Sequence, residues 1–191
     1  MPLTLLLSRA DRLLDSGGLD AGQLVDLREV RACALTVLKR VNELLDLARL
    51  DDKGWRAEPA DRDLALVVRE SAGAFAALAA RRGLRWEVRV PASWPARIDE
   101  EKLATVVSNL LANAVKFTPH GGVVRCSLSP GPHGARIEVA DSGPGVPAPE
   151  RTEVFGRFRQ GGCATGAPVG SGLGLAIARR LCSLQGGYLS V

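Results

Sequence analysis

The chain is 191 residues long with a net charge of +4, and 46% of it is hydrophobic but only 4% aromatic. This size allows one ordinary domain plus a smaller element, and the balance is typical of a soluble globular protein, for which we expect a cytoplasmic location. Composition and pattern argue against disorder, a membrane span, a signal peptide, zinc binding through Cys-x-x-Cys pairs and nucleic-acid binding through clustered basic residues.

The first fifty residues predict two helices. Leucine and alanine recur at helical spacing from Leu3 to Leu14, and a segment with two glycines, 15–20, interrupts the pattern. A second apolar stripe runs from Leu24 to Ala48. Little else in the sequence is available to cover it, so we predict that residues 1–54 form a dimerisation hairpin, paired with a second copy as a four-helix bundle. The alternative is that the hairpin folds back on the rest of the chain.

Residues 55–191 mix helices and strands. The patterns predict helices at 64–80 (with Asp61 or Asp63 as N-cap), 99–117, 150–158 and 173–185, and strands at 55–59, 84–90, near Ile98, at 123–128 and 135–140, and from Tyr188 onward. This order predicts an α+β fold, a two-layer sandwich with three main helices on one face of a mixed sheet.

One face of the helix predicted at 99–117 is polar but bears few charges. It carries Lys102, Thr105, Asn109, Asn113 and Lys116, whereas the apolar face carries Leu103, Val107, Leu110, Leu111 and Ala114. Amide oxygens suit a hydrated Mg²⁺ surrounded by phosphate oxygens, and a lysine adds a point charge for phosphate. The alternative interpretation is a solvated polar face.

A glycine motif, Asp141-Ser-Gly143-Pro-Gly145-Val146, follows directly on an apolar strand. Its glycines allow the backbone to approach a ligand closely, and an aspartate at a strand end can accept a hydrogen bond from an exocyclic amine such as that of adenine. The alternative is a tight turn, for which these residue types are also common.

A second glycine motif, Gly170-Ser-Gly172-Leu173-Gly174-Leu175, opens the last helix. Free N–H groups and the helix dipole favour an anion at such a position. The spacing matches neither the dinucleotide-binding fingerprint nor the P-loop.

Between the two glycine motifs lies Phe155-Gly-Arg157-Phe158, followed by a glycine-rich stretch to residue 166. Two of the four phenylalanines of the chain fall here, which favours a mobile flap over a plain surface loop.

In this order the motifs resemble the N box, first glycine box, phenylalanine box and second glycine box of the histidine kinases among the Bergerat-fold ATPases, which also include gyrase and the ninety-kilodalton chaperone. Residues 2–50 resemble the dimerising hairpin of these kinases. The resemblance implies that Mg-ATP binds and that the γ-phosphoryl group passes to a histidine on the hairpin and then to a response-regulator receiver domain. It implies nucleotide contacts from Asn109, Asn113, Lys116, Phe117, Asp141, Gly143, Gly145, Val146, Arg157, Phe158, Gly170, Gly172, Leu173, Gly174 and Leu175.

Within that set, the resemblance implies that Asn113 binds Mg²⁺ and that Asn109, Asn113 and Lys116 are catalytic. Chaperone and gyrase relatives place a glutamate at the position of Asn109. Because an amide cannot serve as a general base, Asn109 favours transfer to a protein acceptor over hydrolysis.

The chain departs from the family at both ends. Pro2-Leu3-Thr4 resembles the tail of the family's acceptor run, so the acceptor histidine would precede residue 1, and His120 and His133 are poorly placed to replace it. The family usually has a further strand after Val191. We therefore expect a fragment, or a chain whose ends are trimmed or disordered, that binds ATP without autophosphorylating on the usual site. A catalytically silent ATP-binding dimeric module and an ATP hydrolase are the alternatives.

Overall fold

The structure, a computed structural model, describes residues 2–50, 56–132, 134–158 and 171–191. Contacts divide it into two compact units, Met1–Asp51 and Asp52–Val191. Its helices are α1 (Pro2–Ser16), α2 (Ala21–Leu50), α3 (Leu64–Arg81), α4 (Glu100–Phe117) and α5 (Gly174–Leu184). Its strands are β1 (Ala60–Asp63), β2 (Arg85–Arg89), β3 (Pro95–Ile98), β4 (Val123–Gly131) and β5 (Gly134–Asp141). The predictions made for Trp55, His133, Gly170 and the glycine-rich stretch 159–166 lie outside the described residues.

The first unit is the predicted helical hairpin. Gly17 and Gly18 follow α1 with φ of 69° and 88°, a backbone region that favours glycine. A reciprocal capping box then starts α2, because the Gln23 N–H donates to Asp20 Oδ1 over 2.8 Å and the Asp20 N–H donates to Gln23 Oε1 over 3.1 Å. In the described part of the chain, no helix combines the length and apolar character that a bilayer span needs.

Only part of the apolar stripe of α2 is covered in the single chain. Ala34 is buried, as is Ala10 on α1. By contrast, Val30, Val37, Val41 and Leu45 remain between 40% and 51% exposed. Large apolar side chains at helical spacing therefore stay in contact with water along this helix.

The second unit is built on a mixed sheet in the order β2-β4-β5, with β4 parallel to β2 and antiparallel to β5. Strands β1 and β3 form a separate antiparallel pair. Helices α3 and α4 pack on the sheet, and α5 packs on α4. The main core cluster consists of Leu64, Ala65, Val68, Ala72, Val107, Leu111, Cys126 and Leu128. The predicted α+β sandwich with a mixed sheet and three main helices is confirmed.

Two tryptophans pack against the core of the second unit. Trp86, on β2, contacts both of its core clusters, and Trp94 contacts the larger one. The indole N–H of Trp86 is buried and has no hydrogen-bond partner among the described residues. All three tryptophans of the chain fall within Asp52–Val191.

The strand predicted at 55–59 is wrong for the described residues 56–59, and the strand lies at Ala60–Asp63 instead. It forms there because it pairs antiparallel with Pro95–Ile98. The local pattern did not indicate this pairing. Asp63 is the N-cap of α3 and accepts hydrogen bonds from the backbone N–H groups of Ala65 and Trp94, each over 2.9 Å.

The hairpin strands β4 and β5 are longer than predicted. They continue through the expected turn at 129–134, where Pro130 pairs with Ala135 and Gly131 with Gly134. Pro130 has no N–H to donate, but β2 pairs only as far as Ser127. The proline therefore lies beyond the part of β4 that is paired on both sides, which removes the usual objection to proline in a central strand.

Two other elements differ from the prediction. The helix expected at 150–158 is a pair of 3₁₀ turns, Ala148–Glu150 and Glu153–Phe155. Gly156, extended with ψ of 151°, ends the second turn. The strand expected from Tyr188 is also absent from the described residues, because no strand in this part of the chain pairs with 188–191.

Asp99 links three segments of the second unit. Its carboxylate accepts hydrogen bonds from the Glu58 N–H over 2.9 Å and the Lys102 N–H over 3.1 Å, and it forms an ion pair of 2.6 Å with the Lys102 ammonium. Its own N–H donates to Gln185 Oε1 over 2.9 Å. Burial raises the pKa of Asp99, but the hydrogen bonds from Glu58 and Lys102 outweigh it and leave the pKa below its ordinary value.

We expect Asp99→Asn to lower the free energy of unfolding by about 2 kcal/mol at pH 7, because donors in part-buried hydrogen bonds lose a charged acceptor. A lowered pKa stabilises the fold above about pH 4, and this contribution is lost as the pH falls through the folded-state pKa. The difference between wild type and variant should therefore shrink on acidification. Denaturant titration at pH 7 and pH 3 measures it, with the exposed neighbour Glu100→Gln as control. A difference that grows on acidification would contradict this assignment.

Candidate functional site

Helix α4 begins at the N-cap Asp99 and ends at Thr118. The predicted polar row along it is half-buried, but its first members are engaged within the helix. Lys102 is paired with Asp99, and the Thr105 hydroxyl donates to the Glu101 carbonyl over 2.9 Å. The buried side chains are Val106, Val107, Leu111, Ala114 and Val115. Val106 and Val115 were not part of the predicted apolar face and are buried because α4 lies between α3, α5 and the sheet, whereas Leu103 and Leu110 are only half-buried. Of the predicted polar row, Asn109, Asn113 and Lys116 remain as candidates for ligand contact.

The first residue of α5 lies directly against this polar face. A Cβ atom on Gly174 would lie 3.0 Å from Asn109 Oδ1 and 3.5 Å from Asn109 Cγ. Leu173, only 2% exposed, anchors the turn before the helix, and Gly172 adopts φ of 70°. The second glycine motif therefore brings the N-terminus of α5, whose first N–H groups have no partner within the helix, beside Asn109.

The first glycine motif lies at the C-terminal end of α4. The Gly143 N–H donates to Asp141 Oδ1 over 2.7 Å, which folds the turn back on the end of β5. A Cβ atom on Gly143 would lie 3.0 Å from the Phe117 carbonyl oxygen. This approach requires glycine, and it places the exposed Asp141 beside the C-terminal end of α4.

The side chains of Lys116 and Phe117 contact each other at that end. The Lys116 ammonium lies 4.6 Å from the centroid of the Phe117 ring, and the ring is 37% exposed. A positive charge and an accessible aromatic face are therefore adjacent, a combination that can meet the phosphate and the base of one ligand.

Two residues that sequence reasoning missed hold the last turn of α4. The Thr118 hydroxyl donates to the Ala114 carbonyl over 2.6 Å, and the Arg82 guanidinium donates to the Val115 and Lys116 carbonyls. Thr118 precedes a proline, so its capping role was open to prediction. Arg82 gave no local signal, because its partners lie 33 and 34 residues away in sequence.

The phenylalanine motif contacts α5. The Arg179 guanidinium carbon lies 5.1 Å from the centroid of the Phe155 ring. Phe158 is 61% exposed and has φ of 60°, a left-handed conformation that is uncommon for a bulky side chain. Arg157 is exposed as well. The described part of this motif is thus held at α5 through Phe155.

The remaining predicted contacts surround these motifs. The Val146 carbonyl accepts a hydrogen bond from Arg151 Nε over 3.3 Å, and Gly145 before it adopts φ of 69°. Leu175 is half-buried on the first turn of α5. Gly170 lies outside the described residues.

The donor set on α4 suits one kind of metal site. Among the described residues, no group of three or more His, Cys, Asp or Glu side chains is arranged to hold an ion. Asn109 and Asn113 offer neutral amide oxygens one turn apart. Because Mg²⁺ takes few protein ligands and keeps waters and phosphate oxygens, these residues fit an ion shared with a nucleotide.

Comparison with known proteins identifies the family. Residues 98–191 match the family described as histidine kinase-, DNA gyrase B- and HSP90-like ATPase. The sensor histidine kinase TmoS of Ectopseudomonas mendocina is 36% identical over 193 residues, which cover 100% of this chain and 20% of that protein. The structure of full-length ShkA in complex with AMPPNP has a TM-score of 0.75 and 33% identity, covering 97% of this chain and 38% of that one. The mycobacterial sensor histidine kinase MprB has a TM-score of 0.56 and 36% identity, covering 70% of this chain and 83% of that one.

The mixed sheet, the three helices and the two glycine motifs at α4 define an ATP-binding catalytic domain. The chain belongs to the histidine kinase-, DNA gyrase B- and HSP90-like ATPase family, in which its relatives are sensor histidine kinases. It spans well under two thirds of the length of the curated relatives, 20% in the case of TmoS.

Proposed function

We propose that the chain is the catalytic core of a two-component sensor histidine kinase, which binds Mg-ATP and transfers the γ-phosphoryl group to a histidine. The observation that carries this proposal is the approach of both glycine motifs to helix α4, Gly174 at Asn109 and Gly143 at Phe117. The complex of ShkA with AMPPNP, an ATP analogue, supports the choice of nucleotide.

The proposed contacts follow from the chemistry of each group. Asp141 Oδ1 accepts the Gly143 N–H, which leaves Oδ2 to accept a hydrogen bond from the adenine amine. The N–H groups at the start of α5 and the Lys116 ammonium attract the phosphates. Asn113 and Asn109 would hold Mg²⁺, which when bound neutralises phosphate charge and orients the γ-phosphoryl group.

Asn109 supports transfer over hydrolysis. Its amide cannot remove a proton from water as a carboxylate would, so this position provides no base to activate a hydrolytic attack. In the transfer, a neutral imidazole nitrogen forms a bond to the γ-phosphorus as the bond to the β,γ-bridging oxygen breaks, with ADP as leaving group. We place that imidazole on the hairpin of a longer protein that would contain this chain together with the acceptor histidine, called the parent protein below. The next acceptor is a response-regulator receiver domain.

The exposed stripe on α2 supports a homodimer. Val30, Val37, Val41 and Leu45 are spaced by seven, four and four residues, which places them along one side of the helix. Each is at least 40% exposed in the single chain. Pairing with the hairpin of a second copy would bury this row in a four-helix bundle.

Asn113→Ala tests the nucleotide and metal parts of the proposal together. We expect the variant to bind an ATP analogue about tenfold more weakly in the presence of Mg²⁺, because one oxygen ligand of the shared ion is lost. In EDTA the two proteins should bind equally, so the metal-free titration is the control. Calorimetry measures both. Wild-type protein that binds no ATP analogue at millimolar concentration would contradict the proposal.

The transfer itself is tested on the parent protein with ATP labelled at the γ-phosphate. A histidine kinase becomes labelled on protein as an acid-labile phosphoramidate. Steady release of inorganic phosphate without labelled protein would instead identify an ATP hydrolase.

A further inference from the structure

In the last turn of helix α4, two carbonyl groups are hydrogen-bonded by a side chain from another segment. The last carbonyls of a helix have no partner within it. Here the Ala114 carbonyl accepts from the Thr118 hydroxyl and N–H, and the Phe117 carbonyl lies against Gly143. The Val115 and Lys116 carbonyls both accept hydrogen bonds from one side chain, that of Arg82.

Arg82 reaches these carbonyls from a different helix. It is the C-cap residue of α3, and its backbone N–H donates to the last carbonyls of that helix. Its Nη1 donates to the Val115 carbonyl and, over 3.0 Å, to the Lys116 carbonyl, while Nη2 makes a longer contact of 3.5 Å with the Thr118 carbonyl. These contacts are part-buried, and the positive charge complements the negative end of the α4 dipole.

We propose that Arg82 is a positioning residue for the nucleotide site, an inference that rests on the proposed binding of ATP. The turn that Arg82 holds bears Lys116 and Phe117, and Asn113 lies directly before this turn on the same helix. Arg82 does not touch the ligand; it fixes the backbone of this turn before the ligand arrives. Without it the turn frays, and binding must order the backbone of Lys116 and Phe117.

The expected effect follows from that ordering. Fixing the backbone of one residue costs enough to change an equilibrium constant about tenfold. Arg82→Ala should therefore bind an ATP analogue about tenfold to a hundredfold more weakly, depending on whether one or both of Lys116 and Phe117 must be ordered. In the nucleotide-free variant, the amide hydrogens of Val115 to Thr118 should also exchange faster with solvent.

The experiment compares four variants by calorimetry with Mg-AMPPNP, at a temperature at which each is folded. Arg82→Lys keeps the charge but not the planar fork that reaches two carbonyls, so its affinity should fall between those of wild type and Arg82→Ala. If the alanine variant does not fold, the affinity of Arg82→Lys alone tests the role of Arg82. Arg81→Ala removes the neighbouring exposed arginine and should change nothing. Asp63→Ala weakens the start of α3, remote from the end of α4, and controls for destabilisation alone.

The outcomes separate this inference from the proposed function. Weaker binding in both Arg82 variants, together with faster exchange at 115–118 and wild-type affinity in Asp63→Ala, supports a positioning role. Wild-type affinity in the Arg82 variants overturns the role, as does an equal loss of affinity in Asp63→Ala. Wild-type protein that binds no Mg-AMPPNP overturns the proposed function and this inference with it.

Discussion

Replacing Asp141 by asparagine is expected to weaken ATP binding by about a hundredfold while leaving the fold intact. Asparagine keeps an oxygen that can accept the Gly143 N–H, so the turn held by the 2.7 Å hydrogen bond is preserved. The second oxygen, however, becomes an NH₂ group. Two donors, the asparagine amide and the adenine amine, would then face each other, and neither has an acceptor.

A second ligand that lacks adenine shows whether the loss of affinity concerns the base. Inorganic triphosphate carries the phosphates without the base, so its affinity should be the same for Asp141→Asn and wild type. Glu138→Gln, which changes an exposed carboxylate on the same strand, is the control for lost charge. Calorimetry with ATP and with triphosphate gives the dissociation constant of each ligand. If Asp141→Asn bound ATP as tightly as wild type, Asp141 would not be the adenine contact.

Gly174→Ala is expected to impair the site without destabilising the protein. Its Cβ would lie 3.0 Å from Asn109 Oδ1, closer than ordinary van der Waals contact, so the Asn109 side chain must shift. A misplacement of about 1 Å at a reacting centre can slow a reaction on the order of a hundredfold. The Asn109 side chain needs to move only a few tenths of an ångström to restore ordinary contact, so we expect a smaller loss, about tenfold, in phosphoryl transfer by the parent protein carrying this change.

Although it impairs the reaction, the same substitution should not lower the free energy of unfolding. Gly174 does not have a left-handed φ, so alanine fits the backbone and should stabilise the fold by about 0.4 to 1 kcal/mol, less the cost of moving the Asn109 side chain. Gly73→Ala is the matched control, since Gly73 lies within α3 with no atom within 4 Å of an added Cβ. It should gain stability and keep full transfer. Unchanged transfer in Gly174→Ala would show that contact with Asn109 does not matter to the reaction.

The fold was largely predictable because most of its helices and strands carry clear signals in their local sequence. The helix at 99–117 has an aspartate at its start, a steady apolar period and a Thr-Pro pair at its end. The hairpin helices are separated by two glycines. The strand at Ala60–Asp63 was misplaced because its existence depends on pairing with Pro95–Ile98, more than thirty residues away. A strand was predicted near Ile98, but no local pattern indicates which segment pairs with it.

The candidate site was predictable in its motifs but not in what supports them. Asn109, Gly143 and Gly174 were found from spacing, and their mutual approach is a property of the packed helices. Lys102 shows the limit of helical periodicity. It shares the polar row by spacing, yet its ammonium is bound to Asp99 because both lie in the first turn of α4. Arg82 could not be found at all, since its role depends on two helix ends meeting in space.

Because of where the tryptophans lie, their fluorescence can be used to follow the unfolding of the second unit alone. None lies in Met1–Asp51, while Trp86 and Trp94 pack into the core of Asp52–Val191. Indole emission during denaturation therefore reports the second unit only, whereas far-ultraviolet dichroism sums the helices of both. If the two signals change at the same denaturant concentration, the chain melts as one cooperative body. If the dichroism shows an additional step that emission does not follow, the hairpin unfolds separately, and its stability can be read directly from the difference.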